Sequence, residues 1–433
     1  MQTTDARTTD TPTTLSSLPL PAADDAGYPY RGAYSALTGW AAATFAVVLG
    51  FSRLSYGLLL PALRADLHGS YSRFGRVGTA NLAGYLLGML LVPPLVTRAG
   101  RRERLNTVAI VAMSAAMIAS ATSLTVTQLG LWRLLVGIAS APATVLTISL
   151  TLERVAPAAR GRAAGVIWMG GAAGVAVSGL VAPFVVGTGA SPAWRLTWAA
   201  MGGIGIVAAV GLRRALRAAP VPDATETTTH IAMGQRGERP LTWGATFISL
   251  LRPRGLLALT LAYTAFGGGY IIYFTFFIAL VQRQGVPGVF AGLVWTALGL
   301  AGVAGGLLWG RAIDARPTGF TLAAALALSA AGALGVTGIA TEGIGVLLMG
   351  SASFGVPTMF TALLRRAVPA ARYTASLSLL TAALALGQMI GPLIGGAVAD
   401  SHGLKLATAA AAIALALAAL LAAGYGAVQR RQP

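Results

Sequence analysis

Residues 37–60 read LTGWAAATFAVVLGFSRLSYGLLL, two dozen positions with one charge, Arg53, near the far end. At 1.5 Å per residue a helix of this length crosses the ~30 Å of a bilayer's hydrocarbon. The run belongs to a longer apolar segment at 36–62, and eleven more follow. They fall near 77–97, 105–123, 128–151, 163–186, 194–212, 255–281, 289–310, 319–340, 343–364, 374–394 and 405–427. The 433-residue chain is 55% hydrophobic and 10% charged, against about 25% charged in a soluble domain. The reading is an all-α polytopic membrane protein with twelve transmembrane helices. It contains no cysteine, which excludes disulfides and thiolate metal sites.

The formal net charge of +18 would suit a nucleic-acid partner, but its placement speaks for a bilayer. With both termini cytoplasmic, 23 of the 31 Lys and Arg fall in inner segments, 6 in outer loops and 2 within spans. That asymmetry is the positive-inside rule, so the basic balance sets orientation. Residues 1–33 are rich in Thr, Ser, Pro and Asp, without the apolar core of a signal peptide, and read as a disordered cytoplasmic tail. Segment 213–254 reads as a cytoplasmic linker between bundles at 34–212 and 255–427, and 428–433 as a short tail. Within the linker, LTWGATFISLL (241–251) is shorter than a span and is expected to lie along the interface.

The two halves repeat. LLVGIAS at 134–140 returns as LLMGSAS at 347–353, and LERVAPAAR at 152–160 as LRRAVPAAR at 364–372. GFSRLSYGLLLPAL at 50–63 lies over GGGYIIYFTFFIAL at 267–280. Internal repeats of this kind are the architecture of secondary transporters, which bind their substrate between the repeats near the midplane.

Several motifs resemble the major facilitator superfamily. RAGRR (98–102) is similar to the end of its GxxxDRxGRR loop, with Thr97 and Pro93 replacing aspartate and glycine. GRAID (310–314) keeps the glycine and the aspartate, as Gly310 and Asp314. Arg133 with Gly137 resembles the fourth-helix RxxxG motif, and AWRLTW (193–198) the start of the sixth helix. GFSRLSY, NLAGYLLG (81–88) and GAAGVAVSGLVAP (171–183) resemble the bacterial YbfB/YjiJ branch. The resemblance implies two pseudo-symmetric six-helix bundles that rock around a central cavity, lined by the first, fourth, seventh and tenth helices. It also implies a monomer in the bacterial cytoplasmic membrane that acts on a small solute, and neither an enzyme nor a nucleic-acid binder.

Charge at membrane depth costs about 2.5–3.5 kcal/mol on insertion scales, so it usually faces a cavity or a partner. Arg53 lies about 7–9 residues, roughly 10–13 Å, from the outer end of its span. Anion binding, structural pairing and snorkelling all compete for it. Arg133 sits at comparable depth. Every Asp, Glu and His falls in a tail, a loop or a helix end, so a negatively charged substrate is the economical partner for both arginines. The same distribution leaves no titratable carboxylate or histidine for proton coupling within the spans. Uniport, exchange, or a proton carried on the substrate therefore fits best. No Walker or dinucleotide motif appears, so no cofactor is expected.

Tyr263, Phe266, Tyr270, Tyr273 or Phe274, and Phe277 form a stripe on the seventh span. Tyr270 and Tyr273 are expected to face Arg53 and Tyr56, with Asn81 and Gln388 as further polar candidates. Core packing and helix–helix hydrogen bonds are the plain alternatives. At the cytoplasmic end Arg98, Gly100, Arg101 and Arg102, with Gly310, read as loop motifs. Glu153 and Asp314 are expected to lock the gate against arginines such as Arg160 or Arg372. Gly170/Gly174, Gly302/Gly306/Gly310 and Gly387/Gly391/Gly395 read as close-packing faces. The functional reading is a carrier of a small organic anion, with efflux of a hydrophobic drug or natural product as the alternative.

Overall fold

The computed structural model describes residues 31–96, 102–156, 159–186, 193–219, 256–335 and 342–430; the rest of the linker, with its 241–251 stretch, and the terminal tails lie outside them. Every regular element described is helical. α1 (Arg31–Phe45) runs through a π-helical stretch (Ala46–Leu54) into α2 (Ser55–Leu67), and the three make the first span. The next five spans are α3 (Tyr71–Val96), α4 (Arg102–Ser120), α5 (Val126–Arg154), α6 (Arg160–Val186) and α7 (Ala193–Ala218). The second bundle holds α8 (Leu256–Arg283), α9 (Gly288–Ala315) and α10 (Gly319–Gly335). It continues with the tenth span, split into α11 (Glu342–Ser353) and α12 (Val356–Ala367), then α13 (Ala370–His402) and α14 (Leu404–Arg430). These are twelve spans; among the described residues, nine helices are both long and apolar enough to qualify as crossings by length and composition alone.

The side chains are sorted for lipid. Leu300, Leu307 and Leu308 of α9 and Ile413, Leu417 and Leu420 of α14 are exposed, whereas Trp194, Trp198, Trp295, Phe266, Phe274 and Phe276 are buried. Lipid tails are as apolar as leucine, so association between such helices depends on close packing and hydrogen bonds. Glycine supplies the packing. A Cβ on Gly137 of α5 would strike the backbone of Asn81 and Tyr85 in α3, and one on Gly350 of α11 would strike Leu298 in α9. These glycines occupy the same place in the repeats LLVGIAS and LLMGSAS, so the repeat encodes one packing contact used once in each bundle. Gly170 and Gly174 likewise seat α6 on Ala42 and Ala46, while Gly387 and Gly391 seat α13 on Thr264 and Gly268. Of the third stripe, Gly302 meets Phe354, but a Cβ on Gly310 would meet open space.

Gly137→Ala should cost about 1–3 kcal/mol, because backbone on both sides must move. Gly161, with nothing within 4 Å, should accept alanine at no cost. Thermal unfolding in detergent, followed by tryptophan fluorescence, checks the pair; equal melting temperatures would refute the packing role.

Two spans are irregular near mid-membrane. In the first, the Ser55 N–H reaches the Gly50 carbonyl, five residues back, and the Ser55 hydroxyl bonds the same oxygen at 2.9 Å. In the tenth, Gly355 and Pro357 interrupt the helix. Broken or widened helices at this depth are tolerated where they line a cavity or are buried in protein, and π-bulges concentrate at functional sites.

Candidate functional site

The π-helical stretch carries Arg53. Its guanidinium is half-buried and lies 4.1 Å from the ring centroid of Tyr85 on α3. Among the described residues it has no carboxylate partner and makes no hydrogen bond. Arg53 borders a small cavity at the bundle interface together with Tyr56, Asn81, Arg133, Ile271 and Thr275.

Arg133 lines the same cavity but is committed elsewhere. It is 1% exposed, donates Nη2 to the Ser52 carbonyl, and lies 5.2 Å from the Trp198 ring and 5.6 Å from that of Tyr56. Among the described residues, its Nε and Nη1 have no hydrogen-bond partner. A guanidinium held this way clamps the π-helical stretch to α5 through one nitrogen and leaves two beside the cavity. Tyr56 is also engaged: its hydroxyl donates to the Phe74 carbonyl at 2.6 Å and its ring stacks on Trp198. Asn81 donates its amide to the Arg133 carbonyl at 2.9 Å, the helix–helix alternative.

On α8 the stripe divides. Tyr263, Phe266 and Tyr270 stack in sequence at 6.2 and 5.4 Å, and Tyr263 also stacks on Phe360 of α12 at 4.1 Å. Tyr273 turns the other way: fully buried, it stacks on Phe277 at 4.8 Å, which in turn stacks on Trp295 of α9. The expectation that Tyr273 joins Tyr270 opposite Arg53 is therefore corrected, because a three-residue step rotates it toward α9. Gln388 is buried in the seam where α13 meets Gly267 of α8. Tyr85 and Phe360 went unnoticed in the sequence; each becomes relevant only through a contact with another helix.

At the face of the chain termini, Glu153 pairs with Arg102 (2.6 and 3.0 Å), not with Arg160, whose Nε donates to the Val155 carbonyl. Arg102 also donates to Ser149, and the neighbouring pair runs in reverse, Arg154 to Glu103. Arg102-Glu103 and Glu153-Arg154 thus form a reciprocal clasp between the adjoining ends of α4 and α5, inside one bundle. The antiparallel RE and ER dipeptides were a legible signal for it. Asp314 and Gly310 lie at the end of α9, where Asp314 is exposed. Arg98, Gly100, Arg101 and the Arg372 side chain lie outside the described residues.

At the opposite face the bundles meet. The Asp400 carboxylate, at the end of α13, accepts from the backbone N–H groups of Tyr71 (2.7 Å) and Ser72 (2.8 Å), the first residues of α3. Deeper in, Thr79 donates to the Met389 carbonyl at 2.8 Å, and Thr296 on α9 donates to the Ala176 carbonyl on α6 at 3.1 Å. A Cβ on Gly57 of α2 would overlap the Phe274 carbonyl of α8. The molecule is closed on this side, with Arg53 and its cavity beneath the closure.

Twelve spans in two repeated halves, joined at this seam, match a profile described as "Uncharacterised MFS-type transporter YbfB" over residues 45–423. The chain belongs to this family of the major facilitator superfamily. Among solved structures, a bacterial homologue of the human lysosomal transporter Spinster, inward-facing and unoccupied, aligns with a TM-score of 0.66 at 17% identity. That alignment covers 93% of this chain and 97% of the other. The xylose transporter XylE of E. coli aligns at 0.67 and 16% identity (92% and 99% covered). The nucleoside transporter NupG aligns at 0.68 and 11% (90% and 99%). At these identities the likeness is one of fold. No curated protein sequence matches the chain significantly.

Proposed function

We propose that the protein is an alternating-access secondary transporter of a small organic anion, such as a carboxylate, across the bacterial cytoplasmic membrane. The observation that carries the reading is Arg53: a cation below the closed seam, bordering a small cavity, with an aromatic ring beside it and, among the described residues, no acidic side chain to neutralise it. Leaving such a charge unpaired is costly at this depth, and a substrate carboxylate removes the cost while it is bound. The basic residues in the segments on the side of the termini support cytoplasmic termini. With acidic and histidine residues confined to the ends of spans, the transport mode is uniport, exchange, or co-transport of a proton on the substrate itself. The protein works as a monomer, its site complete within one chain.

Efflux of a neutral hydrophobic compound is the alternative, favoured by the aromatic face of α8. Counterflow in proteoliposomes, with organic anions set against neutral and cationic solutes of equal size, separates the two. Accumulation of anions alone is expected; accumulation of neutral compounds alone overturns the reading.

A further inference from the structure

The cavity that Arg53 borders is lined by Arg133 as well, and its volume is about 10 Å³, room for one water-sized group. Its other polar walls are already engaged. The Tyr56 hydroxyl donates to the Phe74 carbonyl, the Asn81 amide to the Arg133 carbonyl, and the Thr275 hydroxyl to the Ile271 carbonyl at 2.6 Å. Leu82, Ile271 and Pro392 close the rest with carbon. What remains is the donor edge of two cations. Among the described residues, Nε and Nη1 of the 1%-exposed Arg133 have no partner, and Arg53 makes no hydrogen bond.

The geometry points to a small inorganic anion, chloride foremost, held between Arg53 and Arg133 when the organic substrate is absent. This rests on the organic-anion reading above and names the counter-ion: the carrier exchanges one organic monoanion for one chloride. Size and charge select it. A single ion fills a cavity of this volume, whereas a carboxylate with its chain needs the cavity wider. Guanidinium groups are always charged and only donate, so the site prefers an anion to water. Unpaired charge at membrane depth is costly. A carrier returning empty would close over both cations; one returning with chloride does not. Of the transport modes above, exchange remains, and a swap of two monoanions moves no net charge.

The test is uptake of radioactive chloride by proteoliposomes holding the full-length protein. The vesicles are loaded with chloride, with sulfate, or with the organic anions of the counterflow experiment. Internal chloride or organic monoanion should stimulate uptake severalfold over internal sulfate, and an imposed membrane potential should leave it unchanged. Arg53→Ala should lower it about tenfold or more, through loss of a charge-assisted contact. Arg133→Ala is expected to unfold, so anomalous scattering from bromide-soaked crystals tests that side of the cavity. One bromide between the two arginines is expected. Uptake equal with sulfate inside, uptake intact in Arg53→Ala, or bromide found only elsewhere overturns the chloride site, and organic-anion counterflow would still stand by itself. Strong dependence on membrane potential overturns the one-for-one exchange. Chloride self-exchange with no organic-anion counterflow keeps the site and overturns the organic-anion reading.

Discussion

Arg53→Ala is expected to lower organic-anion uptake by about two orders of magnitude while leaving the melting temperature nearly unchanged. The side chain is half-buried and makes no hydrogen bond, so the fold loses little packing and gains relief from an unpaired cation. The bound substrate loses its one charge-assisted contact, worth about 2–3 kcal/mol or a factor of roughly 30–150 in affinity. Arg53→Lys should retain part of the activity, because lysine supplies a point charge without the planar fork that engages both carboxylate oxygens. Arg133→Ala should behave oppositely at the level of the protein. It removes a 1%-exposed side chain that ties the π-helical stretch to α5, so unfolding temperature should fall before transport can be compared. Uptake in proteoliposomes and thermal unfolding on the same preparations separate the two roles. Normal uptake by Arg53→Ala would remove the arginine from the substrate path.

Asp400→Asn should open the seam on the face opposite the termini. The carboxylate binds two N–H groups at the positive end of α3, a geometry that favours full negative charge. Asparagine keeps one acceptor oxygen and loses the charge. Because Asp400 is exposed, water discounts the loss to about 1–2 kcal/mol, which shifts the equilibrium between closed and open forms by roughly 5–30-fold. The rest of the seam, from Thr79 to Gly57, remains in place, so the protein should still fold and still close part of the time. The chain has no cysteine, so labels are readily placed. Spin labels at Leu124→Cys and Val289→Cys, on exposed positions in opposite bundles, should show a longer distance population in Asp400→Asn. An unchanged distribution would mean the carboxylate is not a latch.

The legible part of this protein is the part that a local rule controls. Hydrocarbon thickness fixes the length of each apolar run, and helical rise converts that length into a span, so twelve crossings follow from counting. The repeated heptapeptides LLVGIAS and LLMGSAS revealed the two halves, and Gly137 and Gly350 show why: each needs the same absent side chain against the same kind of backbone. Arg53 was legible too, since charge in an oily run is costly wherever it falls. Arg133 obeys the same rule, but its contacts were not legible. Its fate depends on the Ser52 carbonyl 81 positions away, presented by a helix whose widening has no sequence signature in GFSRLSY.

Tyr273 and Tyr270 are three residues apart, identical in type and both buried, yet Tyr270 stacks on Phe266 whereas Tyr273 stacks on Phe277, which packs on Trp295 of α9. Asp400 reads locally as an ordinary charged helix end. Its meaning comes from the first turn of α3, more than 300 residues earlier. The sequence by itself determined which segments enter the membrane, how many there are and where a charge is too deep to be idle. Tertiary structure alone decided what each arginine touches, which way each tyrosine turns and where the two bundles meet. Burial in lipid acts on each helix separately, whereas the direction and partner of a side chain depend on helices brought together only by folding.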